Sequence, residues 1–337
     1  MFARRAVGAT AIASVLLVAA CTAAAGEAGA PLPTSIPSAP EPGVVRLATQ
    51  PWIGYAPWHI AESKGLTTRY GLDLEQVNLS TDDQVNAALA SGRVDGANVS
   101  THTALNLIAG GVDVKIVMIE DVSREADAVL TGSAITTVAG LKGKKIAYEE
   151  GSTSDILLRH VLQQSGLAID DIVRVPMPAA DAGAAFIGGR VDAAVTYEPY
   201  ISEARSKAPD SRSLVTAASS PGLISDVLVI RREVLTKRPG QVAALIRTWD
   251  AAVAEYQARP APSQDIIATA IGADPATLRS AFAGIDYYGL TENRADLTGK
   301  YARETLPEVA RVATAAQILP AGVELDGIVT GTFLGTP

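Results

Sequence analysis

The chain has 337 residues, 48% of them hydrophobic, with 28 Lys plus Arg against 36 Asp plus Glu. A net charge of −8 at pH 7 argues against a nucleic-acid partner and against a polybasic membrane face. One cysteine leaves nothing for a disulfide framework or a thiolate metal site, and the three histidines have no metal-ligand spacing.

Residues 1–20 carry Arg4-Arg5 and then an apolar run to Ala20, the pattern of an export signal. The run is Ala-rich and shorter than the roughly 20 residues a spanning helix needs. Val18-Ala19-Ala20-Cys21 has the form of a bacterial lipobox, which makes Cys21 the expected lipid-attachment site. The expected location is therefore exported, lipid-anchored at the outer face of the cell membrane. Residues 21–43 are mostly Ala, Gly, Pro, Ser and Thr, the composition of a flexible tether.

Beyond the tether, the pattern predicts a strand over 44–48, a loop over 50–57 and a helix over 58–64 that stops at Gly65. A second strand is predicted over 72–77. Ser80-Thr81-Asp82-Asp83 then caps a helix ending at Gly92, with acids in its first turn. Strands over 96–99 and 114–119 follow. The same order returns: a strand over 144–148, a helix from 151–155 to Gln164, a strand over 172–175, a helix over 180–188 and a strand over 193–196. A strand over 226–230 precedes helices over 239–257, 263–271, 275–282 and 299–316. Crossings between lobes are predicted near 127–131 and 223–227.

Residues 87–97 reappear as 184–194 at a constant offset of 97, with seven of eleven positions identical. Each copy runs from an Ala-rich helix through Gly-Arg-Val-Asp into a short apolar strand, then into polar residues. Alternating strands and helices imply mostly parallel sheets. Ligands in such sheets sit beyond the carboxyl ends of the strands, so two matched lobes imply an interlobe binding cleft.

Trp52-Ile53-Gly54-Tyr55-Ala56-Pro57, followed by Ala61-Glu62-Ser63-Lys64-Gly65, resembles the opening of the nitrate/sulfonate/taurine-type substrate-binding proteins of ABC importers. Leu141-Lys142-Gly143-Lys144-Lys145-Ile146-Ala147 before Gly151-Ser152-Thr153, and Gly189-Arg190-Val191-Asp192-Ala193 before Glu198-Pro199, are similar to that family's second lobe. The resemblance spans about residues 44–320. It implies an α/β, type II periplasmic binding protein fold: two βαβαβ lobes joined by a two-strand hinge. Lobe one would hold 44–127 and 226–337, and lobe two 128–225. The resemblance further implies a monomeric, non-enzymatic carrier without cofactor or metal, which hands a small-molecule ligand to an ABC permease. It leaves the ligand open among sulfonate, amino-sulfonate and pyrimidine-like solutes, the last because some relatives bind thiamine pyrimidine precursors. The alternative is an enzyme of pyrimidine-synthesis type on the same scaffold. Such relatives carry a Cys-rich iron motif that Cys21 alone does not supply.

Candidate ligand-binding residues follow from position. Ser80, Thr81, Ser152 and Thr153 begin corresponding helices, where hydroxyls and first amides can hold an anionic group or simply cap the helix. Ser100 and Thr101 follow a buried strand. Trp52 and Tyr55 stand in the first strand-to-helix loop, where aromatics can enclose a small ligand or pack the loop. Tyr197 and Glu198 end the second repeat strand, and Asp226 starts the returning one. Either carboxylate would accept from an amine, amidine or ring NH. No arginine stands in these loops, which weakens the case for a bare oxyanion.

Overall fold

The computed structural model describes residues 31–335. The export signal, Cys21 and the first part of the tether lie outside the described residues. Lobe one opens with β1 (Val44–Thr49), β2 (Asp73–Asn78), β3 (Gly96–Ser100) and β4 (Val114–Ser123). The chain then crosses to β5 (Asp127–Thr131), β6 (Lys145–Tyr148), β7 (Val173–Pro176), β8 (Ala193–Tyr197) and β9 (Arg212–Thr216). It returns through β10 (Ser225–Arg231) and ends its strands at β11 (Ile285–Tyr287).

The two sheets run β11-β4-β10-β3-β1-β2 and β7-β6-β8-β5-β9. In lobe one β1 is parallel to β2 and β3; in lobe two β6 is parallel to β7 and β8. Each strand that has just crossed between lobes inserts antiparallel, β10 between β3 and β4 and β5 between β8 and β9. Apart from β11 the two lobes therefore share one strand order, as the internal repeat predicts. The first crossing falls at 124–126, just before the predicted stretch, and 127–131 is a full strand of lobe two.

The repeated Gly-Arg-Val-Asp has a structural task. Asp95 exchanges backbone bonds with Arg46, donating its amide to the Arg46 carbonyl at 2.8 Å and accepting the Arg46 amide on its carboxylate at 2.9 Å. Asp192 does the same to Lys145, at 2.9 and 2.8 Å. Each aspartate thus staples the start of a repeat strand to the start of its parallel neighbour. Gly92 and Gly189 precede it at φ +72° and +65°, the left-handed region where a Cβ is disfavoured.

Register carries the equivalence further. Asp226 of β10 lies opposite Ser100, and Asp127 of β5 lies opposite Tyr197. Ser100 and Tyr197 are 97 residues apart, so the two aspartates occupy matching places at the entry of the two crossing strands.

Several elements depart from expectation. Ser100 caps a helix, Thr101–Ala109, that the pattern did not announce, and Tyr200–Lys207, β9 and β11 are likewise additional. The helix expected over 299–316 is broken: Leu297–Thr305 winds with a wider turn, Gly299 leaves helical geometry, and a regular helix resumes at Leu306–Ala315. The stretch over 275–282 divides into Pro275–Leu278 and a tight turn at Ala281–Gly284. The tether is docked along its described part. Leu32 and Ile36 pack on the lobe-one core, and Glu41 accepts the Gly240 and Gln241 amides at 3.1 and 2.9 Å.

Lobe one holds a single large core in which the Trp58 and Trp249 rings meet at 5.2 Å. Lobe two holds a cluster around Leu157, Leu158 and Leu162 and two smaller Ala-rich ones. Ile156, Ala179 and Tyr197 of lobe two join the lobe-one cluster, so the lobes stand closed on each other.

Candidate functional site

A narrow cleft of about 30 Å³ lies between the lobes, near the carboxyl ends of the parallel strands. Gln50, Trp52, Tyr55, Asp82, Ser100 and Asp226 line it from lobe one, and Asp127, Glu149, Ser152, Thr153, Tyr197 and Ile224 from the other side. Gln50 follows β1, Glu149 follows β6, and Ser100 and Tyr197 end β3 and β8. The carboxyl ends of the parallel strands and the entries of the two antiparallel crossing strands thus meet at one place.

Of the sequence-predicted residues, Trp52, Tyr55, Ser100, Ser152, Thr153, Tyr197 and Asp226 line the cleft. Trp52 meets Tyr197 edge-on at 5.5 Å across the lobes. Tyr55 donates its hydroxyl to Asp226 at 2.9 Å. The other four do not line it. Ser80 is exposed, with its amide on the Gln84 side chain, and Thr81 caps its helix by accepting the Gln84 amide. Thr101 is fully buried and bonds Ser225 and Tyr301 beneath the site. Glu198 is buried but turned away, its carboxylate taken by the Ser202 amide at 2.9 Å.

Some of the amides around the cleft are taken by the protein's own acids. Glu149 accepts the Ala179 amide at 3.2 Å and lies near the Asp82 backbone of the opposite lobe. Asp155 accepts the Gly151 amide at 3.0 Å and pairs with Arg159. Ser152 spends its hydroxyl on the Glu149 carbonyl.

The cleft is therefore acidic, without a Lys or Arg among the described residues of its wall. Burial pushes Asp82 up to about 6 against the Thr103 and Gln50 side chains that favour its charge. Burial lifts Glu149 to about 7, with the Asp82 charge adding. Asp226 rises to about 7 by burial, opposed by the Tyr55 hydroxyl. Asp127 rises to about 8 by burial, opposed by Ser123 and reinforced by Asp226 and Glu198. Behind them, burial holds Asp121 and Glu120 well above the usual carboxylate range, and the Asp226 charge adds to both. Desolvation and mutual repulsion act in one direction here.

Asp127, Glu149, Asp82 and Gln50 were not singled out from sequence. Asp127 carries a readable signal: Asp127-Ala128-Val129-Leu130 echoes Asp226-Val227-Leu228-Val229 at the two strands that leave one lobe for the other.

Residues 38–271 match the model of the NMT1-like family. The chain belongs to that family. Its fold matches the alkanesulfonate-binding protein of Xanthomonas axonopodis pv. citri, solved with MOPS bound, at 25% identity and TM-score 0.71, over 86% of this chain and 99% of that one. The periplasmic nitrate-binding protein of Synechocystis PCC 6803 matches at 16% identity and TM-score 0.72, over 88% of each chain. These likenesses establish the type II periplasmic binding protein fold. A desulfurization enzyme shares the scaffold at 16% identity and TM-score 0.63, over 87% of this chain and 98% of that one. Among the described residues no helix is long and apolar enough to cross a membrane.

Proposed function

We propose that the protein is the extracytoplasmic solute-binding component of an ABC importer, anchored through lipidated Cys21. It would capture a small polar organic solute between its lobes and present it to a permease. The observation that carries this reading is the cleft itself, lined from both lobes at the strand ends and bridged by the Trp52–Tyr197 contact. Two crossings at 124–126 and 217–224 act as the hinge, so ligand exchange is a rigid-body opening. Among the solutes left open by sequence, the carboxylate wall supports those rich in N–H donors, amino-sulfonate or pyrimidine-like. A bare sulfonate or nitrate would face like charge.

Melting and small-angle scattering test the reading together. A solute that binds should raise the melting temperature and contract the protein. Scattering that stays the same with every stabilising solute would reject capture by closure. Cys21→Ala should leave the chain unprocessed or shed while the lobes keep their stability; lipid still attached to that variant would reject the anchor.

A further inference from the structure

We propose that the solute is an organic cation, clamped between Asp127 and Asp226 at the hinge and walled by Trp52 and Tyr197. This rests on the reading of the interlobe cleft as the solute site. The two aspartates are register equivalents, one from each crossing strand, and they converge on the cleft from opposite lobes. Asp127 is 3% exposed, and its Oδ2 is buried without a hydrogen-bond partner. Asp226 is likewise 3% exposed and holds one hydroxyl, that of Tyr55. Asp121, directly behind, is buried as well and faces Asp226 and the Trp52 indole.

A desolvated carboxylate is costly unless a positive group meets it. Among the described residues no Lys or Arg stands on the wall, so when Asp127 is ionised its counter-charge is left to the solute. Glu149 takes the Ala179 amide and Asp155 the Gly151 amide, so two of the amides beside the cleft already hold an acid. Trp52 and Tyr197 add aromatic surface on which an ammonium or amidinium is favoured. Because the aspartates come from different lobes, one cation bonded to both cross-links the closed form.

The full chain is tested by calorimetry and thermal shift at pH 8 with choline, agmatine and benzamidine, against ethanesulfonate and nitrate. At least one cation should bind and the two anions should not. Asp127→Asn and Asp226→Asn should each weaken that cation by about tenfold or more, while the unliganded variants melt no lower than the parent. The proposal is overturned if an anion binds in preference to every cation, which leaves solute capture standing. It is overturned also if both Asn variants keep cation affinity within about twofold. If no probe of either charge binds, the cation proposal is overturned, while solute capture is decided by the melting and scattering test with amino-sulfonate and pyrimidine-like solutes.

Discussion

Asp95 and Asp192 make the same pair of backbone bonds in their respective lobes, yet their settings differ. Asp95 is half-buried and its second oxygen also holds Arg238, whereas Asp192 is exposed and its carboxylate holds one amide. The contrast extends to the cores. Lobe one is organised around two buried tryptophans, and lobe two around leucines and alanines in separate clusters. One topology is thus stabilised at two levels: lobe one is the platform, and lobe two is a lighter cover that brings Asp127, Glu149 and Tyr197 to the cleft.

The largest effect should come from the platform. Trp58 is fully buried and donates its indole N–H to Asn98 and Glu120 at 3.2 and 3.1 Å. Trp58→Ala leaves a large cavity and strands Glu120, so chemical denaturation should show a loss of about 3–5 kcal/mol. Leu158→Ala in lobe two should cost about 2–4 kcal/mol. An equal or larger loss in lobe two would break the platform picture.

The acidic cleft predicts an unusual pH dependence. The groups involved are Asp82, Glu120, Asp121 and Asp226 from lobe one and Asp127, Glu149 and Glu198 from lobe two, with Tyr55, Tyr197 and His102 facing them. Each carboxyl holds its proton to higher pH in the folded state than in the unfolded chain, where Asp and Glu titrate near 4. The native state therefore binds more protons between about pH 4 and pH 8, and stability falls as pH rises through that window. The unliganded protein should melt roughly 5 °C lower at pH 8 than at pH 5. Asp127→Asn should flatten the slope, and melting that rises from pH 5 to pH 8 would contradict the burial of these groups.

Next in size is the staple. Asp95→Ala removes an amide acceptor and leaves Arg238 without its carboxylate, at a cost of about 2–3 kcal/mol; Asp192→Ala should cost about 1 kcal/mol. Equal losses in urea unfolding would mean that the Arg238 pair adds nothing.

The repeat made the lobes legible because it is local: helix, left-handed Gly, aspartate and strand lie within eleven residues. The cleft was legible where it follows strand ends, as with Ser100, Tyr197 and Asp226. It was not legible where a side chain's partner is set by tertiary packing or by the turn that follows it. Thr101 is drawn under the site by Tyr301, 200 residues away, and Glu198 is turned aside by an amide of the following helix. Glu149 reads as the end of a strand, and only lobe closure brings it near the Asp82 backbone. The break at Gly299 is hidden because flanking residues keep a helical pattern.

The smallest expected effect tests whether the lobes are latched apart from the ligand. His102, in the lobe-one helix after β3, places Nδ1 2.8 Å from the Ser100 hydroxyl and Nε2 3.3 Å from the Gly151 carbonyl of lobe two. Burial lowers its pKa to about 4, so the imidazole is neutral at physiological pH. With the Ser100 hydroxyl donating to Nδ1, Nε2 carries the proton toward Gly151. Gly151 stands at φ +80°, a left-handed turn that a side chain would strain. This single neutral hydrogen bond across the lobes should be worth about 0.5–1.5 kcal/mol. His102→Ala should therefore weaken ligand affinity about 2–10-fold and shift the unliganded scattering curve toward a more open form. Because His102 titrates near 4, the ratio of parent to variant affinity should not change between pH 6 and pH 8. Affinity and scattering indistinguishable from the parent would show that the other contacts between the lobes, the Trp52–Tyr197 pair and the Gln163–Ala315 bond among them, hold the lobes together without it. A ratio that changes with pH would mean that His102 is charged in the open form and that closure itself strips its proton.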